Sequence, residues 1–573
     1  VWNVAEALFI SDSIEQGIEW SKTSQPGYAF ELLVYQHRYR EAFDFVGLKE
    51  GRAISTEWLD SLPASPGAAS QQRIQRFRLA ITVARTLHTL GKKKEVAEIV
   101  AVLDRVAQDA AAKDKQNGGR ADLLMSLAQL EFRLGMLEPA FAHADQASGE
   151  GDVENTMLRT FFGNRSEEAV AWSQLFRKID PQTSFSKLLP RIYRVMQFPV
   201  PADSTVEEFE KFVEPALEHA QTIAQSDMRG RFLDSLASSM LVRNYAAPAR
   251  RLLDNSATYF AGSSVRLGDL EAEQKNWPEA ARRYADAARL DPQQLPALYL
   301  AGLATEKAGD ATKGQELMRQ ARLSAHGSRN RHALGQFLHA RGHLEHAGEL
   351  LEFAIATSPF EHWETNDAAR ILAEVYAERR PAQAARLWDR HLLADLRTTF
   401  FFLEVENYVR FPFMIHKANA QAAIDEKKFD VVAREIEIAS KTSPNDVRLA
   451  EDLVPLLEKA DQKELAQQLF DRSYASLAKV IEVYPESAFH RNNLAWLSAR
   501  CRRQLDQALA HAQEAVRLQP ENPSYLDTLA EVHFQRGDRE QAIRWSQAAV
   551  KLSPRYKAFQ DQLARFQTAP LSP

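Results

Sequence analysis

The chain of 573 residues contains one cysteine, Cys501, and only 23 glycines. A single cysteine excludes an intrachain disulfide, a CxxC redox pair and a cysteine-based zinc site, and it fits a reducing compartment. No stretch reaches the ~18 unbroken apolar residues that a membrane-spanning helix needs. Neither charge dominates: 71 basic residues face 77 acidic ones, a net of -6, so no global field draws nucleic acid. The phosphate-cradling GxxxxGK[ST] and GxGxxG, the GxSxG nucleophile turn and the HExxH metal helix are all missing. Alternating β-branched residues are scarce, which argues against a sheet domain. The composition, 45% hydrophobic and 26% charged, is that of a folded chain and not of a disordered one.

Small residues recur at matched offsets. Between Pro523 and Pro554, Leu529-Ala530 are followed by Gly537, Ala542 and Ala549. Ala530 and Ala542 let two antiparallel helices cross closely, Gly537 supplies the turn, Ala549 admits the next helix and Pro554 ends the second one. The same order appears at Leu127-Ala128, Gly135, Ala140 and Ala147, at Leu267-Gly268, Ala280 and Ala287, and at Leu334-Gly335, Gly342, Ala347 and Ala354. It returns at Leu494-Ala495, Ala508 and Ala515, with one extra residue in the turn around Cys501-Arg502-Arg503.

This spacing resembles the tetratricopeptide (TPR) repeat, a 34-residue helix pair. The phrases NNLAWL and YLDTLAEV are similar to those of bacterial TPR proteins. The resemblance implies an all-α, TPR-type α-solenoid: a right-handed superhelix of helix-turn-helix repeats, here in two superhelical segments. Five parts are expected: residues 1–197 of degenerate repeats, 198–397 of central repeats, an aromatic interruption at 398–413, further repeats at 414–554, and a capping helix with tail at 555–573. The first boundary rests on Phe198-Pro199-Val200-Pro201, which cannot be helix interior, followed by a capping box of Ser204 and Glu207. Val4-Ala5 followed by Gly17 has the spacing of a repeat that starts before Val1, so the chain is expected to be the C-terminal part of a longer array. In the last helix Lys557, Gln560, Asp561 and Arg565 make a polar outer face suited to a cap.

In the TPR family the first helix of each repeat lines the concave groove. Carried over to this chain, that position falls on Arg329, His332, Gln336 and His339 in one repeat, on Asp367, Arg370 and Glu374 in the next, and on Tyr299, Leu303 and Glu306 in the one before. Such a surface suits a peptide held by hydrogen bonds and a few apolar anchors, or it is ordinary solvated helix. Phe400, Phe401, Phe402, Tyr408, Phe411 and Phe413 are either core where the array bends or an exposed docking patch, with Phe401 and Phe413 the positions that distinguish the two. Asn492-Asn493 resembles half of the carboxylate clamp of chaperone-binding TPR domains, but the next repeat offers Ser524 and Asp527 where Lys or Arg is needed, so a clamp is rejected.

Chemistry has two weak candidates. Cys501 stands among Arg500, Arg502 and Arg503, which would lower its pKa, or it is an incidental turn thiol. His326, His332, His339, His343, His346 and His362 are turn or solvated residues, a metal set, or a pH-sensitive surface; Gly342 is expected to break the helix that would align three of them. No catalytic residue, cofactor or metal ligand is assigned. The leading expectation is a non-enzymatic scaffold or adaptor that binds a protein or peptide partner. Alternatives are a substrate-recruiting arm of a larger enzyme whose catalytic part precedes Val1, and a subunit of an envelope or secretion assembly. A cytoplasmic location is favoured, with the periplasm or envelope implied instead if a leader has been removed.

Overall fold

The computed structural model describes residues 13–49, 53–110, 119–147, 153–197, 205–359, 362–397, 405–444 and 446–570. All regular structure among them is helical. Contacts group the chain into two units, one of Val1–Met157, Arg380–Leu552 and Tyr556–Pro573, the other of Leu158–Arg379 with Ser553–Arg555. Residues 198–204 and 398–404 lie outside the described residues, and with them the Phe198–Pro201 boundary, Ser204 and Phe401.

Local chemistry explains where the hairpins start and turn. Pro278, Pro296 and Pro523 stand in the first turn of their helices, where a missing N–H loses no bond. Asn522 caps the last of these by accepting from the Ser524 amide at 3.1 Å. Many of the hairpin turns place a residue in the left-handed region. Gly342 and Gly537 supply it at φ of 76° and 85°, while Lys275 and Asp461 do so without glycine at 59°. The turn after Ala488–Arg500 uses two such residues, Arg502 and Gln504, which accommodates its extra residue.

In the second unit, first helices Ala261–Glu273, Leu295–Lys307, Gly327–Ala340 and Trp363–Tyr376 alternate with second helices Trp277–Leu290, Ala311–Ser324 and Leu344–Thr357. Ala280, Ala287, Ala347 and Ala354 are fully buried at the crossings. Two helix backbones come close at Gly302 and Gly314, where a Cβ on Gly302 would meet the Gly314 carbonyl oxygen and Met318 Cγ, each at 2.7 Å. Further back in this unit Trp172 donates to Ser239 Oγ at 2.7 Å among the rings of Phe176, Phe209 and Phe212.

In the first unit, Phe413, Leu453, Phe470, Leu494 and Cys501 share one core. The stretch whose period left helix and strand open is helical from Val405 to Asp425 and runs through Pro412. Phe411 and Phe413 are buried within it, so Phe413 is core and not the docking patch offered as the other reading. The helix Lys557–Thr568 closes the last hairpin through Phe559 and Phe566, with Lys557, Gln560 and Asp561 outward. Helix Pro26–Tyr35 packs on Val405–Asp425, so this unit joins segments far apart in sequence as well as adjacent repeats.

Gly302→Ala forces Cβ into backbone and should destabilise the protein by ~1–3 kcal/mol, read as a lower midpoint in urea denaturation followed by circular dichroism. Gly348→Ala is the contrast. Its Cβ would meet nothing closer than Val375 Cγ1 at 3.8 Å, so helix propensity should leave it neutral or up to ~1 kcal/mol more stable.

Candidate partner-binding surface

The first helices of the second unit are tied side by side by polar pairs at the repeat period. His332 Nε2 lies 2.7 Å from Asp367 Oδ2, His339 Nε2 lies 3.9 Å from Glu374 Oε2, and Arg329 Nε lies 3.4 Å from Glu364 Oε1. Arg370 reaches Asp367 Oδ1 at 2.8 Å and Glu374 Oε1 at 3.1 Å. Burial pushes the Asp367 carboxyl up, but the bond from His332 and the Arg370 guanidinium outweigh it and hold the group below the ordinary range.

This geometry sorts the residues that the resemblance places in the groove. Tyr299 and His332 are buried, and Tyr299 Oη is engaged by His346 Nδ1 at 3.0 Å. Both belong to the packing behind the face. Gln336 is exposed, His339, Arg370 and Glu374 are half-buried, and the Arg329 side chain is 77% exposed. Sequence reasoning missed Trp363, which is 51% exposed and meets the His332 ring edge-on at 5.4 Å beside Arg329 and Glu364. Its signal was present: a Trp opens a first helix three residues after Phe360.

Sequence reasoning also missed a cleft of about 700 Å³ lined by Glu306, Gln315, Glu316, Arg319, Arg322 and His346, with Thr312, Met318 and Glu349 completing it. It opens because Ala311–Ser324 packs on Leu295–Lys307 and makes little contact with Gly327–Ala340. Arg322 spans it weakly, 3.5 Å from both Tyr299 Oη and Glu349 Oε2.

The chemical candidates resolve differently. Gly342 does end the helix before His343 and His346; His332 and His346 bond elsewhere, and His339 faces Glu374 at 3.9 Å. No cluster of three or more His, Cys, Asp or Glu able to hold a metal occurs among the described residues. Cys501 is buried, and burial pushes its thiol up to about 12; Arg503 and Arg500 still pull it down, but burial outweighs them and their partners Glu458 and Glu451 offset them, so the reading of a lowered thiol is overturned. His143 sits between Glu131 Oε2 at 2.7 Å and Asp104 Oδ1 at 3.1 Å, and these carboxylates raise its pKa. A carboxylate at each ring nitrogen favours the protonated imidazole and ties it into the packing.

Taken together, the described residues form an all-α array of TPR-type helix hairpins. No helix among them is long and apolar enough to cross a membrane. No protein-family model and no curated protein matches the chain. Among solved structures, a tetratricopeptide repeat protein from Parabacteroides merdae is similar at 11% identity and a TM-score of 0.28, over 54% of this chain and 99% of that one. Yeast Tom70 is similar at 13% identity and 0.29, over 86% and 95% of the two chains. YrrB, described as a TPR protein with an unusual peptide-binding site, is similar at 15% identity and 0.18, over 37% and 97%. At such scores the fold class rests on the hairpins themselves.

The last hairpin, where the clamp was rejected, holds a strained carboxylate. Asp527 is pushed up to about 7, first by burial and then by the Glu531 carboxylate, and its Oδ1 has no hydrogen-bond partner. Arg565 serves Glu531 instead. An unfolded Asp ionises near 4, so the native state is penalised increasingly as pH rises from 4 to 7. Asp527→Asn should therefore stabilise, by up to about 4 kcal/mol at pH 8, with a gain that grows between pH 4 and 7 and is flat above. Denaturation midpoints at pH 4, 6 and 8 read this directly.

Proposed function

We propose that the protein is a non-enzymatic scaffold or adaptor that holds a protein or peptide partner along the first-helix face of the second unit. The observation that carries the reading is Trp363: a half-exposed indole on that face, flanked by the exposed Arg329. Large aromatic and guanidinium groups held by a rigid support are the side chains that anchor most protein interfaces. The His332–Asp367 bond ties neighbouring helices and the Arg370–Glu374 bond braces its own helix, so the support is in place before any partner arrives. Arg329, Gln336, His339, Arg370 and Glu374 are the polar contacts, with Tyr299 and His332 acting behind them. The mixed charges of this surface suit an extended peptide with both acidic and basic side chains.

A pull-down with the full chain, repeated with Trp363→Ala, Arg329→Ala and Gln336→Ala combined, tests the reading. Partner recovery should fall at least tenfold while helicity and melting temperature stay within a few degrees of the parent. Unchanged recovery would reject this face.

A further inference from the structure

Within the first unit, two segments with no sequence reason to meet are joined by side chains. Gln36 Nε2 donates to the Thr442 carbonyl at 2.6 Å, Tyr39 Oη stands 3.1 Å from His490 Nε2, and Ser487 Oγ stands 2.6 Å from the Thr89 carbonyl oxygen. The fit is close, since a Cβ on Gly91 would meet the Glu486 carbonyl oxygen at 2.5 Å. His490 and Ser487 are fully buried, and the rings of His37, Tyr39, Tyr484, Phe489 and His490 pack edge to face.

The hydrogen bonds run in one direction. A carbonyl only accepts, so the Ser487 hydroxyl donates to Thr89. Its proton is thereby committed, and Ser487 Oγ must accept from His490 Nδ1 at 2.7 Å. Nε2 of a neutral His490 ring is then the acceptor for the Tyr39 hydroxyl, whose oxygen accepts from His37 Nδ1 at 3.3 Å. Other charged groups face the cluster without bonding to His490. Lys92 lies 5.8 Å over the Tyr484 ring, the Glu486 Cβ lies beside Gly91, and Arg491 is taken by the Pro485 carbonyl and His511. Burial lowers the pKa of both imidazoles, His490 to about 4 and His37, next to it, to about 3.

We infer that this neutral chain, His37–Tyr39–His490–Ser487–Thr89, is an acid-sensitive latch that holds helices Tyr39–Phe45 and Ala69–Thr89 against helix Ala488–Arg500. A proton on His490 Nε2 removes the acceptor that Tyr39 needs and leaves a cation among aromatic rings. An exposed imidazole titrates near 6.5, so the latch is at full strength above about that pH and weakens progressively as pH falls toward 4.

Hydrogen–deuterium exchange of the full chain between pH 7.5 and 4.5, corrected for intrinsic rates, tests this. Peptides from Pro26–Tyr35, Tyr39–Phe45 and Ala69–Thr89 should exchange at least tenfold faster at the acid end, and His490→Gln should cut that change by about half on a logarithmic scale, His37 supplying the rest. Flat protection in the parent chain, or the same acid response in His490→Gln, overturns the latch. Should His490→Gln lose helicity, Gly91→Ala leaves every titrating group in place. It should loosen the same peptides at pH 7.5, and loosening elsewhere or nowhere overturns the proposal.

Discussion

The hairpins depend on how closely two helix backbones can approach. At Gly302 and Gly314 the backbones lie so near that a methyl group on either one would strike a carbonyl oxygen, and at Ala530 and Ala542 the methyl itself is the spacer. Close approach lets the flanking leucines interdigitate, and that packing carries the stability of each pair. The pairing of small residues is set by the turn between the helices, which is why a left-handed residue recurs in many of these turns. Where that residue is Lys275 or Asp461 and not glycine, it costs on the order of 1 kcal/mol that packing must offset.

Lateral order between hairpins is polar as well as apolar. His332–Asp367 spans 35 residues, as does Asp527–Gln562 in the last hairpin. These pairs occupy the positions that would line a groove, so part of the expected binding surface is already engaged in holding neighbouring first helices. Gln336 and Trp363 remain exposed beside these pairs, and Arg329 keeps a largely exposed side chain although it stands 3.4 Å from Glu364. The same competition leaves Asp527 disadvantaged, because Arg565 pairs with its neighbour Glu531.

A simple solenoid keeps its contacts between neighbours. The first unit departs from that rule at Tyr39 and His490, and the departure is built from buried hydrogen bonds set among packed aromatic rings. Such a junction is specific, since each donor has one acceptor, and conditional, since it tolerates only one protonation state. In the second unit the opposite departure occurs, a hairpin whose second helix is left partly uncovered beside Arg322 and Glu349.

Much of the fold was legible because its signals are local. The small-residue offsets at Leu334-Gly335 to Ala354 and the turn at Gly342 are read within one repeat, and a helix pair is decided over that distance. The extra residue near Cys501 was legible for the same reason. The character of that thiol was not, because the helix bearing Ala450 buries it and distant Glu451 and Glu458 claim its arginines. Nor could sequence separate exposed Arg329 from buried His332, three residues apart on one helix, or place Phe413 in the core and Trp363 at the surface. The sequence alone determined the repeating helix pair, since backbone approach and turn conformation depend on residues a few positions apart. Tertiary structure decided which polar groups remain free and which distant segments close on one another, because desolvation and hydrogen-bond pairing are settled only when those groups share the same buried volume.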